Sequence, residues 1–327
     1  MLLQGQVRDA AGRSVSGAQV ALFWSERVGS LAASVRARTD ADGRYRYTLH
    51  VHDGKPHALF AVGPYQETGG IAPIRSATVD IVLRPLVRVR GRVFVEPLGG
   101  SPALRTLTAY AGGARVETSV GGAEPFGLLL PPGRYRLAVR ASRDHRSWER
   151  EVSLDGRRVE VDLGEVSLLA TPLGRADGRR LPLFAPTEGP GVDPSRPGPS
   201  GRRLLGALRG RWVLVLAGDL RRPVDRLRLA GLVTFWQRHR DLRDRFAVLL
   251  LQARGPEELQ ELRTLLSAQA EALWGGGPLP FPLFLDGAGA TLEAWGTPEL
   301  PRVVLLDPDG LVVGGGDEAT LVERLAR

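Results

Sequence analysis

The sequence predicts a multidomain chain, two all-β sandwiches followed by one α/β domain, within 327 residues. Three observations carry that reading. From about Leu2 to Ala170, short segments alternate apolar and polar residues with a period of two, as strands with one buried face do. Between Pro186 and Gly201 the chain holds five prolines and four glycines and almost nothing apolar. Beyond Leu204, continuous apolar runs alternate with leucines at helical spacing, the pattern of buried parallel strands joined by helices.

The first segment spans residues 2–84. Gln6-Val7 and Gln19-Val20-Ala21-Leu22 read as strands, with Asp9-Ala10-Ala11-Gly12 as the turn between them. Thr39-Asp40-Ala41-Asp42-Gly43 is a second turn. It leads into Arg44-Tyr45-Arg46-Tyr47-Thr48, which points arginine outward and tyrosine inward. Val79 to Leu83 closes the segment with the same alternation. The second segment, 86–170, repeats this plan. Val89 to Val95 resembles the opening strand, Leu130-Pro131-Pro132-Gly133-Arg134-Tyr135-Arg136-Leu137 supplies a turn and a strand, and Val159 to Leu163 closes it. An internal duplication follows.

Residues 171–203 read as a Pro/Gly-rich linker, too polar to offset the entropy of ordering itself. Residues 204–327 then switch period. Trp212 to Leu216 and Phe246 to Leu251 are buried strands, and a helix is expected over Val224 to His239. Leu259, Leu262, Leu266, Ala270 and Leu273 share one helix face. A short strand at Phe281 to Leu285 and a short helix at Ala290 to Trp295 follow. Val303 to Leu306 and Leu311 to Val313 form a hairpin around Asp307-Pro308-Asp309-Gly310. A last helix starts at Glu318, capped by Asp317.

Two resemblances attach to these residues. Gly5-Gln6-Val7-Arg8-Asp9, Val15 to Val20, and Thr39-Asp40 through Gly43-Arg44-Tyr45 resemble the carboxypeptidase regulatory-like family of transthyretin-like or Cna-B-like β-sandwiches. The second segment resembles it through its Pro-Gly-Arg-Tyr turn. This resemblance implies a non-catalytic spacer or binding module and an extracytoplasmic, cell-envelope setting. Met1-Leu2-Leu3, however, runs straight into a strand, without the basic start and cleavage site of a signal peptide. Leu208 to Val215, Phe281 to Asp286, Ala294-Trp295-Gly296 and above all Leu300-Pro301-Arg302-Val303-Val304-Leu305-Leu306-Asp307-Pro308-Asp309-Gly310 resemble the thioredoxin-like group that includes membrane-anchored thiol reductases and peroxiredoxins.

That second resemblance implies a redox pair between the first strand and its helix, where the helix N-terminus favours a thiolate. Here the position holds Arg222-Pro223-Val224-Asp225, and the chain has no cysteine. Thiol-disulfide chemistry is therefore excluded, and the domain is expected to be a pseudoenzyme. The family's cis-proline falls at Leu300-Pro301, beside which active relatives pair with an extended peptide. Arg221, Arg222, Arg226 and Arg228 cluster at the start of the first helix and are the expected partner surface.

Other constellations are weaker. His50 and His52 would share one strand face, and with His57 and Asp53 could hold zinc or nickel; a solvated strand end is the competing reading. Asp40 with Asp42, and Asp307 with Asp309, lack the distal glutamate of a calcium loop. Gly314-Gly315-Gly316 precedes a helix, but Asp317 and Glu318 would repel a phosphate. Neither a nucleophile elbow nor a Walker lysine is present. No cofactor is expected. The net charge of +8 comes almost wholly from arginine, without the compact basic run or interleaved aromatics of a nucleic-acid surface. No apolar run approaches the ~18 residues of a membrane span. The expectation is a binding or scaffolding protein with a protein partner. Its rivals are an enzyme using Arg222 and Asp225 as ionisable groups, and a polysaccharide-binding module in the first two segments.

Overall fold

The computed structural model describes residues 1–21, 23–26, 37–48, 58–98, 105–112, 114–120, 125–187, 189, 197–253, 259–296 and 299–326. His50, His52, Asp53 and His57 lie outside the described residues. The chain divides into two compact units, Met1–Leu169 and Ala170–Arg327.

The first unit is all β. Its first half holds β1 (Leu2–Arg8), β2 (Gln19–Ala21), β3 (Phe23–Glu26), β4 (Ala37–Arg38), β5 (Arg44–Thr48), β6 (Ala58–Val62), β7 (Thr68–Pro73), β8 (Ile81–Val82) and β9 (Arg84–Pro85). The second half holds β10 (Val87–Val95), β11 (Arg105–Ala111), β12 (Ala114–Val120), β13 (Phe126–Leu130), β14 (Gly133–Arg140), β15 (Trp148–Leu154) and β16 (Glu160–Leu168).

Each half carries the same pair of sheets. β1 lies between antiparallel β5 and parallel β8, and β10 lies between antiparallel β13 and parallel β16. Opposite them run β4-β2-β6-β7 and β12-β11-β14-β15, with matching antiparallel pairings. The duplication is therefore one of topology. It also shifts the sequence correspondence. By pairing, β13 stands where β5 stands, so the Pro-Gly-Arg-Tyr turn opens the equivalent of β6 rather than of β5.

The alternation predicted for β5 is observed, with Tyr45 and Tyr47 buried and Arg44, Arg46 and Thr48 exposed. Leu3, Val7, Val20, Tyr45, Leu59 and Ile81 pack between the two sheets of the first half. The expected boundary at residues 84–86 does not keep the two cores apart, because strands of the first half contribute to both. Strand β6 is buried at every position, and its other face puts Ala58, Phe60 and Val62 into the core of the second half with Leu107, Leu128, Tyr135 and Leu137. Strand β3 also pairs in parallel with β12. A sheet buried on both faces explains why β6 reads as an unbroken apolar run.

The second unit centres on β17 (Trp212–Gly218), β18 (Phe246–Ala253), β19 (Leu283–Asp286), β20 (Arg302–Leu306) and β21 (Val312–Val313), in the sheet order β19-β18-β17-β20-β21. The first three are mutually parallel; β20 is antiparallel to β17 and β21 to β20. The helices are α1 (Pro197–Ala207), α2 (Pro223–Arg238), α3 (Leu259–Trp274), α4 (Ala290–Trp295) and α5 (Glu318–Leu325). A parallel β-α-β start followed by an antiparallel β-β-α end on one sheet is a thioredoxin-like arrangement. Leu214 and Leu216 face a core shared with α2, α3 and α5. Val213, Val215 and Ala217 face the opposite core.

That opposite core corrects the linker expectation. Leu173, Ala176 and Phe184 are buried in it beside Trp295, and Leu204, Leu205 and Leu208 of the α1 region pack against it. Residues 170–187 form a strap across the sheet. At one edge Gly178 N–H donates to the Val312 carbonyl and Val312 N–H to that of Arg179; at the other, Thr187 N–H donates to the Leu285 carbonyl. Between them the Trp295 indole N–H donates to the Leu183 carbonyl at 3.1 Å, and Phe184 stacks on Trp295 at 6.5 Å. Both sheet edges are thus hydrogen-bonded, which removes an exposed template for pairing. The few apolar residues of the strap suffice because Leu173, Ala176 and Phe184 are buried against the sheet. Gly201 lets α1 approach it, since a Cβ there would lie 1.8 Å from the Phe184 carbonyl oxygen.

Candidate functional site

The turn after β17 and the start of α2 hold the position where the thioredoxin resemblance places a redox pair. Arg222 is the N-cap, with extended backbone, and Pro223 occupies the first helical turn, where its missing N–H costs nothing and its fixed φ suits the helix. Arg222, Pro223 and Val224 are exposed, whereas Asp225 is 0% exposed. The cis bond expected at Leu300-Pro301 is present. Ala217 pairs with Arg302, so the register sets Pro301 level with Gly218, beside this turn.

The polar groups of the turn bond inward. Asp225 Oδ2 accepts the Asp219 N–H at 2.7 Å. Its position in the first turn of α2 lets the helix dipole stabilise a carboxylate. The other oxygen lies 3.8 Å from Arg222 Nε. Gly218 permits this fit, because a Cβ there would stand 3.0 Å from Asp225 Oδ2. Gln252, buried on β18, accepts the Leu220 N–H at 2.8 Å and donates to Asp219 Oδ1 at 3.0 Å. Arg221 donates to both Asp219 oxygens, at 3.0 and 3.1 Å. Burial opposes ionisation of Asp219, but the hydrogen bonds from Arg221 and Gln252 prevail and hold its carboxyl at about 2.

The predicted arginine cluster is only partly a surface. The Arg226 guanidinium donates to the Leu220 and Arg221 carbonyls, and Arg228 is paired with Glu318 of α5. Both hold the fold together, because each reaches a fixed acceptor one turn or one helix away. What α2 presents instead is Val224 and Leu227, 48% and 68% exposed, three residues apart and hence on one face, with Arg222 at the N-cap two residues before Val224. Sequence reasoning missed Leu227 because its spacing suits a core face equally well. Gln252 was missed inside an apolar strand; a lone amide there was the available signal.

Asp225 is out of reach of solvent and Asp219 is tied to Arg221 and Gln252, so neither stands open as an acid or base. Among the described residues no cluster of three or more histidines and carboxylates is placed to hold a metal, and no helix is long and apolar enough to cross a membrane.

No family model and no curated protein matches the chain. Solved structures that it is similar to cover little more than a third of it. The thioredoxin domain of a thiol-disulfide oxidoreductase from Bacteroides vulgatus is 18% identical over 38% of this chain and 84% of that one, with a TM-score of 0.30. StoA from Bacillus subtilis is 16% identical over 36% and 84%, with a TM-score of 0.28. The pneumococcal exposed lipoprotein thioredoxin from Streptococcus pneumoniae is 18% identical over 37% and 88%, with a TM-score of 0.29.

Proposed function

We propose that this chain is a non-catalytic binding protein whose second unit, a redox-dead thioredoxin-like domain, docks a protein segment at the start of α2. The β-rich first unit is read as a pair of fused carboxypeptidase regulatory-like modules that present or space it. One observation carries the reading. Asp225 is buried and Asp219 is bonded to Arg221 and Gln252, while Val224 and Leu227 stand exposed at the start of a helix whose N-cap is Arg222. Two exposed apolar side chains on a helix start capped by an arginine suit a segment that pairs an apolar anchor with an acidic residue.

The test is an array of short peptides, probed with the full chain and with a Val224→Glu/Leu227→Glu variant. Both substituted side chains are exposed, so folding should survive, and far-UV circular dichroism checks this. Peptides combining a large apolar residue with Asp or Glu should be retained by the parent and lost by the variant. Arg222→Glu should reverse the preference for acidic residues. Identical retention by parent and both variants would remove the site.

A further inference from the structure

We infer that the first unit carries a separate binding groove for an acidic saccharide, a sugar chain bearing carboxylates, on the outer face of the sheet β5-β1-β8. The groove encloses about 610 Å³ and is lined by Gln4, Arg38, Arg44, Arg46, Thr78 and Asp80, with Asp40 at its rim. This inference is independent of the α2 docking surface and rests on different residues.

Sheet register builds the groove. Gln4 faces Arg46 and Gln6 faces Arg44 across the β1-β5 pair, and Gln4 bridges to Thr78. Arg44 and Arg46 are two residues apart, so both point outward, about 7 Å from each other along the strand. The floor is locked. Gly5 brings β1 so close that a Cβ would lie 1.9 Å from the Val79 carbonyl oxygen. The Tyr45 hydroxyl donates to that same oxygen at 2.5 Å, and Asp80 Oδ1 accepts the Gln6 N–H at 2.9 Å. Gln6 itself is committed, donating to Ser14 and the Asp42 carbonyl and accepting from Arg8.

The guanidiniums of Arg38, Arg44 and Arg46 have no hydrogen bond or ion pair among the described residues, although other arginines of the same unit do, such as Arg90 with Glu160 and Arg136 with Glu149. Three planar donors without a partner among the described residues favour carboxylates, which guanidiniums bind in pairs of hydrogen bonds. Acceptors line the same groove: Asp80, the Gln4 amide and the Thr78 hydroxyl suit sugar hydroxyls, as does the Asp40 oxygen not engaged by the Asp42 and Arg44 N–H groups. Among the described residues no aromatic ring is exposed in the groove, so recognition proceeds by hydrogen bonds and charge rather than stacking. An acidic peptide fits less well. It would meet Asp40 and Asp80 without hydroxyls to satisfy them.

The experiment titrates the full chain with polygalacturonate, with neutral dextran and with polyglutamate, at low and high salt. Polygalacturonate should bind in preference to both others. Binding should weaken with salt as the screening length falls from about 10 Å at 0.1 M to about 3 Å at 1 M. Arg44→Gln/Arg46→Gln should weaken it by about tenfold or more. Arg157→Gln/Arg158→Gln, which removes the same charge from an exposed turn elsewhere in the unit, should leave it unchanged. Circular dichroism verifies that both variants are folded. Equal weakening by the two variants, no binding of polygalacturonate, equal binding of dextran, or tighter binding of polyglutamate would each overturn the inference.

Discussion

Replacing Asp225 by alanine removes the carboxylate that closes the β17-α2 turn, and its effect can be worked from the contacts. The Asp219 N–H loses its acceptor, and a hydrogen bond to a charged group contributes about 1.5–3 kcal/mol. The first turn of α2 loses its only acidic residue, worth roughly 0.3–1 kcal/mol against the helix dipole. Removing a fully buried carboxylate relieves desolvation and offsets part of this. The 3.8 Å approach to the half-exposed Arg222 adds little. The net expectation is a loss of about 2 kcal/mol, which for a unit of this size lowers its Tm by about 4–8 °C. Asp225→Asn keeps an oxygen for the Asp219 N–H and should lose less than about 1 kcal/mol. Calorimetry of the full chain, with tryptophan fluorescence to follow Trp212, Trp236, Trp274 and Trp295 of the second unit, measures both. An alanine variant within about 0.5 kcal/mol of the parent, the range of an ordinary surface change, would refute the closing role. An asparagine variant as unstable as alanine would refute the part assigned to the hydrogen bond.

Three further outcomes are expected. Asp219 has a folded-state value of about 2, below the roughly 3.9 of an unfolded aspartate. Its stabilisation is therefore complete above about pH 4 and vanishes as pH falls through about 2. With the side chain 20% exposed, the amount is on the order of 1–2 kcal/mol, and urea midpoints of Asp219→Asn should lack that part of the acid dependence. Gly201→Ala should destabilise the second unit by about 2–3 kcal/mol or more through its clash with the Phe184 carbonyl. Gly231→Ala, in an open stretch of α2, should instead stabilise by about 0.5–1 kcal/mol, and denaturant unfolding of the two variants tests the contrast. Finally, residues 170–327 should unfold cooperatively when expressed alone. Residues 204–327 should bind a hydrophobic dye and aggregate, since the strap covering Trp295 is missing.

Much of the second unit was legible because its signals are local. Continuous apolar runs marked β17 and β18, the Asp307 to Gly310 turn marked the hairpin, and Asp317 marked the start of α5, where it accepts the Thr320 N–H at 2.9 Å. Of the site, Arg222 to Asp225 and Pro301 lie around one turn. Which of these side chains are buried was not legible. Asp225 lies three residues after the N-cap Arg222, yet one is sealed and the other open, because only Asp225 faces Gly218 and the Asp219 N–H.

The sequence by itself determined the strand and helix periods, the two-part change in architecture and the absence of thiol chemistry, since each depends on neighbouring residues or on composition. Tertiary structure alone decided that residues 171–187 are a strap and not a linker, that β6 serves two cores, and that Arg226 and Arg228 are structural. In each case the deciding partner lies far away in the chain: Phe184 needs Trp295, Phe60 needs the second half's sheet, and Arg228 needs Glu318. A local pattern records what a segment can form, while burial and pairing depend on which distant surface it meets.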